Sequence, residues 1–510
     1  MNRPRLLTVV LCVFCLFGAI NLIDAVGMNQ GTGLTRTNIT SQLTDHGPID
    51  VSNNAGLALL ASSGSGTYGD PYLISNLRIE LNDTEFAVII EDTDAHFKLL
   101  DCEILLNRSF GAILFSNVTN GVIESCQIWC AGIFMDFSNH SAVVDCLIMD
   151  SMSEAGINLN FCYDIRISGN SISGSPTGIF LLGSEDCWVS SNHIFDNDNF
   201  GVDIYLSKNT TLHENTLENN GVFLSLWDAG YNGHSLEGSQ YIDVPYNFVN
   251  NTVNGKPLGF FHETLNSVID GNDYGQLILL NCTDVEVVDG NFRNVSVGMQ
   301  VHYSQNCTIN EVTISRNSHW GMYIYNSNFI SIENSDVSHN AGVGIHCEWS
   351  NNTRISHTAV RDNEHAGLYV QYSNECTISS NSISQNAEGI HLDSSNDCSL
   401  IDNEVIYNTI VGISLSGGSS QNTVYGNSIG WNGRNAENQG INFWDNGVNR
   451  GNSWSDYSGV GYYQISHGGV DHYPRFLGNP LLAPTSIIGM IVAGIIVIVV
   501  VFWFRHRRAG

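Results

Sequence analysis

From Gly111 onward the chain repeats one arrangement of apolar and polar positions: a glycine, a short alternation of apolar and polar residues, then a break rich in Asn and Ser. The glycine recurs at Gly111, Gly132, Gly156, Gly178, Gly201 and Gly221, and again at Gly275, Gly298, Gly321, Gly344, Gly367, Gly389, Gly412 and Gly440. In the second series the interval is 22 or 23 residues until a last one of 28. Each unit carries two or three period-two runs separated by turn residues, which predicts short strands. No helical period appears between Asn29 and Leu482. A unit this short cannot bury its own apolar face, so successive units must stack, with strands paired in parallel about 4.8 Å apart. The pattern predicts an all-β, right-handed parallel β-helix of about 14 glycine-led coils, a rod of about 67 Å at that spacing.

The alternation assigns each position a direction. The second place of a unit (Met299, Met322, Ile345, Leu368, Ile390, Ile413) and the fourth (Val301, Ile324, Cys347, Val370, Leu392, Leu415) point inward. Asn197, Asn220, Asn294, Asn317, Asn340, Asn363, Asn386 and Asn408 stand 19 residues after their glycines. They are expected to form a structural ladder, because stacked Asn side chains bond along a column and tolerate tight corners. Cys187, Cys307, Cys376 and Cys398 share the tenth place of their units. They are expected as small column-fillers rather than metal ligands. A leucine-rich repeat has a similar period, but its Leu-x-x-Leu-x-Leu signature is missing.

The two ends differ from the body. Arg3 and Arg5 precede an apolar stretch from Leu6 to Ile23, which predicts a signal peptide or signal anchor over 1–26. Residues 487–504 form an uncharged apolar run followed by Arg505, Arg507 and Arg508, which predicts one transmembrane helix with a basic cytoplasmic tail at 505–510. Between them fall a lead-in at 27–64, a first β-helix run at 65–226 and an irregular excursion at 227–274. A second run at 275–450, a closing segment at 451–478 and a linker at 479–486 complete the expected order. The body from residue 27 to 486 holds 14 basic and 49 acidic residues. That imbalance excludes nucleic acid as a partner. The expected location is a single-pass membrane anchor with the bulk outside the cytoplasm. Eleven Asn-x-Ser/Thr sequons make glycosylation an expectation; no cofactor or metal is expected, and the oligomeric state is left open.

Several stretches resemble a known family. Asn306-Cys-Thr-Ile, Glu375-Cys-Thr-Ile and Ser379-Ser-Asn-Ser-Ile-Ser-Gln-Asn are similar to the repeats of NosD-type parallel β-helix proteins. Gly66-Thr-Tyr-Gly-Asp-Pro-Tyr-Leu-Ile is similar to their leading segment, and Asn251-Thr-Val-Asn-Gly-Lys-Pro-Leu to a module that interrupts their helices midway. Gly451-Asn-Ser-Trp-Ser-Asp-Tyr and Val470-Asp-His-Tyr-Pro are similar to their closing segment. The resemblance covers Ser65 to Pro474. It implies the β-helix fold and, by the family's name, a copper-handling accessory role, although no Met and His constellation at ligand spacing accompanies it.

Candidate chemistry sits on the first strand of each unit, where the third and fifth places are expected to face solvent. Down the second run these are Gln300 and His302, Tyr323 and Tyr325, His346 and Glu348, Tyr369 and Gln371, then His391 and Asp393; Trp349 lies one place further. Aromatic faces beside hydrogen-bonding groups suit sugar rings, so the column is the expected binding face for a polysaccharide or surface glycan. The same column offers candidate catalytic groups in Glu348, Asp393, His346 and His391. The two carboxylates stand two coils apart, about 9.6 Å by strand spacing, near the upper limit for an inverting pair. The leading expectation is a noncatalytic, membrane-anchored module that binds carbohydrate or another cell-surface component; a polysaccharide hydrolase or lyase is the second.

Overall fold

A computed structural model describes residues 43–82, 86–107, 111–226 and 245–478. The expected signal segment and transmembrane helix lie outside these residues. Among the described residues no helix is long and apolar enough to cross a membrane. The chain is an all-β parallel solenoid of the right-handed type with about 17 turns.

Each turn contributes one strand to each of three parallel sheets. In the first run the glycine-led sheet stacks eight strands, from Ile49–Val51 through Ala155–Asn160 to Val222–Ser225. Ile133, Ile157, Ile179 and Val202 pair in register and are fully buried, as expected of apolar residues two apart on one face of a strand. In the second run the corresponding sheet includes Met299–His302, Met322–Tyr325, Ile345–Glu348, Ala366–Gln371, Glu388–Asp393 and Val411–Ser416. Each run encloses its own apolar core.

Asn side chains brace the corners. The Asn340 side chain donates to Asn363 Oδ1 at 2.8 Å, and Asn363 donates to Asn386 at 2.9 Å. Asn317, Asn386 and Asn408 continue the column, and Asn197 donates to Asn220 in the first run. These groups are almost wholly buried, so each bond replaces water that the amide cannot reach. The column also explains the glycines: a Cβ at Gly321 would sit 2.5 Å from Gly344 O and 2.9 Å from Asn340 Nδ2.

Asn294 departs from this ladder. It is exposed with φ 52°, and Val295 N donates to Asn317 Oδ1 instead. The reason is a register slip. Leu277 pairs with Met299, so Gln276 rather than Gly275 stands opposite Gly298. Counting from Gly275 therefore places Asn294 one residue off the column. Gly440 is also out of place, lying past the strand Arg434–Asn438 that pairs with Val411–Ser416.

A second departure is a short helix, α1, at Asn54–Leu60, where no helix was expected. The Asn53 side chain accepts from Gly56 N, and Leu57 is buried in the first core. At two turns in length α1 is too short for a period to show, and it follows the first strand of the stack. At the far end, Asp471 Oδ2 accepts from Asn452 N and Trp454 Nε1, Asn452 Nδ2 donates to Trp444 O, and the buried rings of Trp444 and Trp454 lie 6.0 Å apart.

The stretch expected as an irregular excursion is partly regular. Asn247–Val249 and Thr252–Val253 extend two sheets of the first run. The chain then reverses through Asn254 and Gly255, both at positive φ, and Lys256–His262 pairs antiparallel with Thr252–Val253. From Leu258 the same strand pairs in parallel with Gln276–Leu280 and starts the second run. One antiparallel hairpin thus joins the third sheet of the first run to the glycine-led sheet of the second. Polar and aromatic residues there obscure the period.

Candidate binding face

The glycine-led sheet of the first run ends at Val222–Ser225, which has no following strand among the described residues. A bare edge would leave backbone groups unpaired. Two glutamines from the outer face of the second run take the place of that strand. Gln276 accepts from Val222 N at 2.8 Å and donates to Val222 O at 2.7 Å. Gln300 accepts from Leu224 N at 3.0 Å and also donates to Val222 O at 2.7 Å. Ser296 Oγ accepts from Gly221 N. The end of the first run is therefore seated on the side of the second.

This seating overturns part of the expected solvent face. Gln300 and His302 are fully buried, and Tyr323, Tyr325, His346 and Glu348 nearly so. Phe223 of the first run packs on Trp320 and Tyr323, and Phe200 packs on His319. Ile278 and Leu280, which point out of the second core, join the first one. The strands Gln276–Leu280, Met299–His302, Met322–Tyr325 and Ile345–Glu348 are buried on both faces. Alternation returns only with Ala366–Gln371 and Glu388–Asp393. The period gives direction relative to a strand's own coil, and nothing about what another run lays over it.

Two side-chain columns cross the face in register. One runs Gln300, Tyr323, His346, Tyr369, His391, Ser414; the other runs His302, Tyr325, Glu348, Gln371, Asp393, Ser416. Tyr323 OH donates to Glu348 Oε2 at 2.8 Å. Asp393 Oδ2 accepts from Tyr369 OH at 3.2 Å and from Gln371 Nε2 at 3.0 Å. His391 Nε2 meets Ser416 Oγ at 2.7 Å, and its Nδ1 lies 2.7 Å from Glu388 Oε2. Glu348 and Asp393 are two strands apart, with Gln371 on the strand between them.

Burial tunes these groups. Desolvation raises the Glu348 carboxyl above its ordinary range, although the Tyr323 hydroxyl works against the shift. The hydrogen bond from His391 holds Glu388 below its usual range, although partial burial opposes this. Burial pushes His302 and His346 down to about 3, which keeps both rings neutral at physiological pH. His302 Nε2 lies 3.3 Å from Gln300 Oε1. His346 is sandwiched by rings, 4.8 Å from Tyr369 and 5.2 Å from Trp320. Neither of its ring nitrogens has a hydrogen-bond partner among the described residues.

The open edge of the face carries Trp349 and Tyr372, stacked at 4.4 Å and exposed by 45% and 37%. Both adopt positive φ at the corner after their strand, at 53° and 49°. Bulky residues are uncommon there, and other coils put Asn326 or Ser394 at this corner. The first run has a stacked exposed pair at its equivalent corner, Phe137 and Phe161, which sequence reasoning missed. Adjacent bulky residues just past a strand, where other units have Asn117, Asn281 or Asn326, are the signal that finds both pairs.

The cysteines fill interior columns. All eleven among the described residues are free, and ten of them are buried. Burial raises the Cys162 and Cys187 thiols to about 12. Among the described residues no three His, Cys, Asp or Glu side chains converge as metal ligands.

A family model described as periplasmic copper-binding protein (NosD) matches residues 51–259 and 262–459. No curated protein matches the chain. The fold is similar to the periplasmic alginate epimerase AlgG, at 12% identity over 72% of this chain and 83% of that one, with a TM-score of 0.28. It is also similar to the A-module of the Azotobacter vinelandii mannuronan C-5 epimerase AlgE6, at 11% identity over 73% and 86%, TM-score 0.26. PfbA, a surface adhesin of Streptococcus pneumoniae, matches at 10% identity over 73% and 91%, TM-score 0.27. The copper named in the family description does not fit the described residues, whose thiols are buried in all but one case and whose face histidines are scattered among tyrosines.

Proposed function

We propose the following for this chain, which belongs to the NosD family of parallel β-helix repeat proteins: it is a noncatalytic module outside the cytoplasm that binds a glycan along the open half of its second-run face. The observation that carries this reading is the exposed Trp349–Tyr372 stack beside Gln371, Asp393 and Glu348. Aromatic faces cover the apolar side of a sugar ring while neighbouring amide and acid groups bond its hydroxyls. The solenoid offers these groups in register about every 4.8 Å, close to the scale on which a polymer presents its residues. The word periplasmic in the family description supports the location. The apolar segments at 6–23 and 487–504 support export and anchoring in a membrane.

A second reading rests on Glu348 and Asp393 as an acid and base pair in a polysaccharide hydrolase or lyase. The raised Glu348 carboxyl favours an acid role. Gln371 weighs against it, because its side chain occupies the strand between the two carboxylates and donates to Asp393. An attacking water would have to share that space. We therefore prefer binding without turnover.

Glycan-array screening of the full-length protein, with reducing-end release followed on every hit, separates the readings. Binding without release is expected. Trp349→Ala with Tyr372→Ala should weaken it by about tenfold or more, on the scale of lost aromatic anchors. Release abolished by Glu348→Gln would establish the enzyme instead.

A further inference from the structure

The far end of the solenoid is an unfinished layer. Phe443 bridges Thr423, Ser466 bridges Glu437, and Arg475–Phe476 pairs with Ser453–Trp454, so each sheet of the second run has its last member here. None of the three is followed by a further strand among the described residues. A hairpin of Tyr463–Gln464 and Val470–Asp471 closes over part of the core, with Tyr463 stacked on Trp454 at 4.0 Å. The rest stays open. Phe476 stands in register with the fully buried Trp454, in the place of an inward residue, yet it is 62% exposed. Val460 and Tyr462, just before the hairpin, are 81% and 63% exposed, and Ile441, Phe443 and Val448 are exposed as well. Apolar residues scattered singly over a surface need no explanation, but a concentration of them in one layer marks a contact surface.

Charge and chain path both point to what covers this layer. In a chain of 50 acidic and 19 basic residues, the stretch 441–478 holds three acids and two arginines. All three acids are engaged. His472 lies 2.7 Å from Asp445, Asn435 and Tyr463 donate to Asp456, and Asn452 and Trp454 donate to Asp471. Arg475 is exposed and pairs with no described carboxylate. The acidic flanks of the solenoid would be repelled by an anionic bilayer surface, whereas this end can approach one. Eight residues, 479–486, separate Gly478 from the apolar run at 487–504. Fully extended they reach about 30 Å at most, so a membrane-spanning run holds this end beside the bilayer. Copies anchored in one membrane all turn this end toward it, which keeps their open strand edges from pairing end to end.

We propose that the closing layer of the solenoid docks on the surface of a lipid bilayer, with Val460, Tyr462 and Phe476 in the interfacial zone, and so stands the solenoid end-on. Aromatic and apolar side chains favour that zone. The proposal rests on the reading of 487–504 as a membrane anchor. The test uses the full-length protein with the photocrosslinker benzoylphenylalanine in place of Val460, Phe476, Trp188 or Ile496, one position at a time. Each form is reconstituted in vesicles of phosphatidylcholine and phosphatidylglycerol and illuminated, and mass spectrometry identifies what the position touches. Lipid adducts are expected at Val460 and Phe476, as at Ile496, and none at Trp188, an exposed residue of the first run. Val448→Asp with Phe476→Asp should lower the Val460 adduct about tenfold or more, on the scale of transferring one apolar side chain. Both side chains are exposed, so the unfolding midpoint and the Ile496 adduct should stay unchanged. Chain-to-chain adducts at Val460, no adduct there, or a lipid adduct that the aspartates do not lower each overturn the docking and leave the anchor standing. Absence of a lipid adduct at Ile496 removes the anchor, and the inference with it.

Discussion

The inner and outer halves of one sheet face follow the same repeat and have opposite fates. In the inner half, Gln276, Gln300, His302, Tyr323 and Tyr325 are sealed beneath the end of the first run. In the outer half, Tyr369, Gln371, His391 and Asp393 remain part-exposed; Tyr369 and Gln371 donate to Asp393, and His391 meets Ser416 and Glu388. Chemically the two sets are nearly the same: amides, histidines, tyrosines and acids. What differs is the neighbour. A glutamine opposite a bare strand edge becomes a structural substitute for a peptide group, whereas a glutamine opposite solvent stays available to a ligand.

The largest effect should come from breaking the inner half. Replacing Gln276 and Gln300 with Ala leaves the Val222 and Leu224 backbone groups buried and unpaired. Chemical unfolding should show a combined loss of about 3–9 kcal/mol, from about 1–3 for each of Val222 N, Val222 O and Leu224 N. Gln371→Ala, the matched change in the outer half, should stay within about 0.5 kcal/mol. Equal losses at the two sites would dissolve the distinction.

Acid should act next, through two buried rings of the face. His302 and His346 titrate near 6.5 when unfolded and near 3 when folded. Between those values the unfolded chain holds the extra protons, so stability is full above about pH 6.5 and falls as the pH drops toward 3. The slope is about 1.4 kcal/mol per pH unit for each ring, or about 3 kcal/mol for both at one unit below 6.5. His302→Phe should remove about half of that slope, as read from unfolding curves between pH 7 and pH 5.

The smallest contrast tests the corner ladder. Asn363→Ala breaks side-chain bonds to Asn340 and Asn386 in a buried column and should cost about 1–3 kcal/mol. Asn294→Ala, exposed and off the column, should cost no more than about 0.5 kcal/mol by thermal or chemical unfolding.

Much of this was legible from residues alone. The intervals between Gly298, Gly321, Gly344 and Gly367 give the coil length, and the alternation after each glycine gives the inward set that the structure buries. The Asn spacing anticipates Asn340, Asn363 and Asn386, because a column in a repeat needs only constant spacing. It fails at Asn294, because one residue of slip at Gly275 and Gln276 is invisible without the pairing register. Helix α1 at Asn54–Leu60 and the hairpin at Asn254 and Gly255 were hidden for a related reason. Each occurs once, and a method built on repetition has nothing to compare it with.

Local covalent order therefore determined what each strand shows to its own coil: Val301, Ile324 and Val370 inward, and Gln300, Tyr323 and Tyr369 outward. Only the tertiary structure decided which outward residues meet water. Side-chain direction is a property of neighbouring bonds along one chain segment. Coverage depends on strands 54 to 78 residues away in sequence, such as those joined by Gln276 and Gln300 to Val222. No period of about 23 residues can carry that information, because the contact it would need to encode is made once.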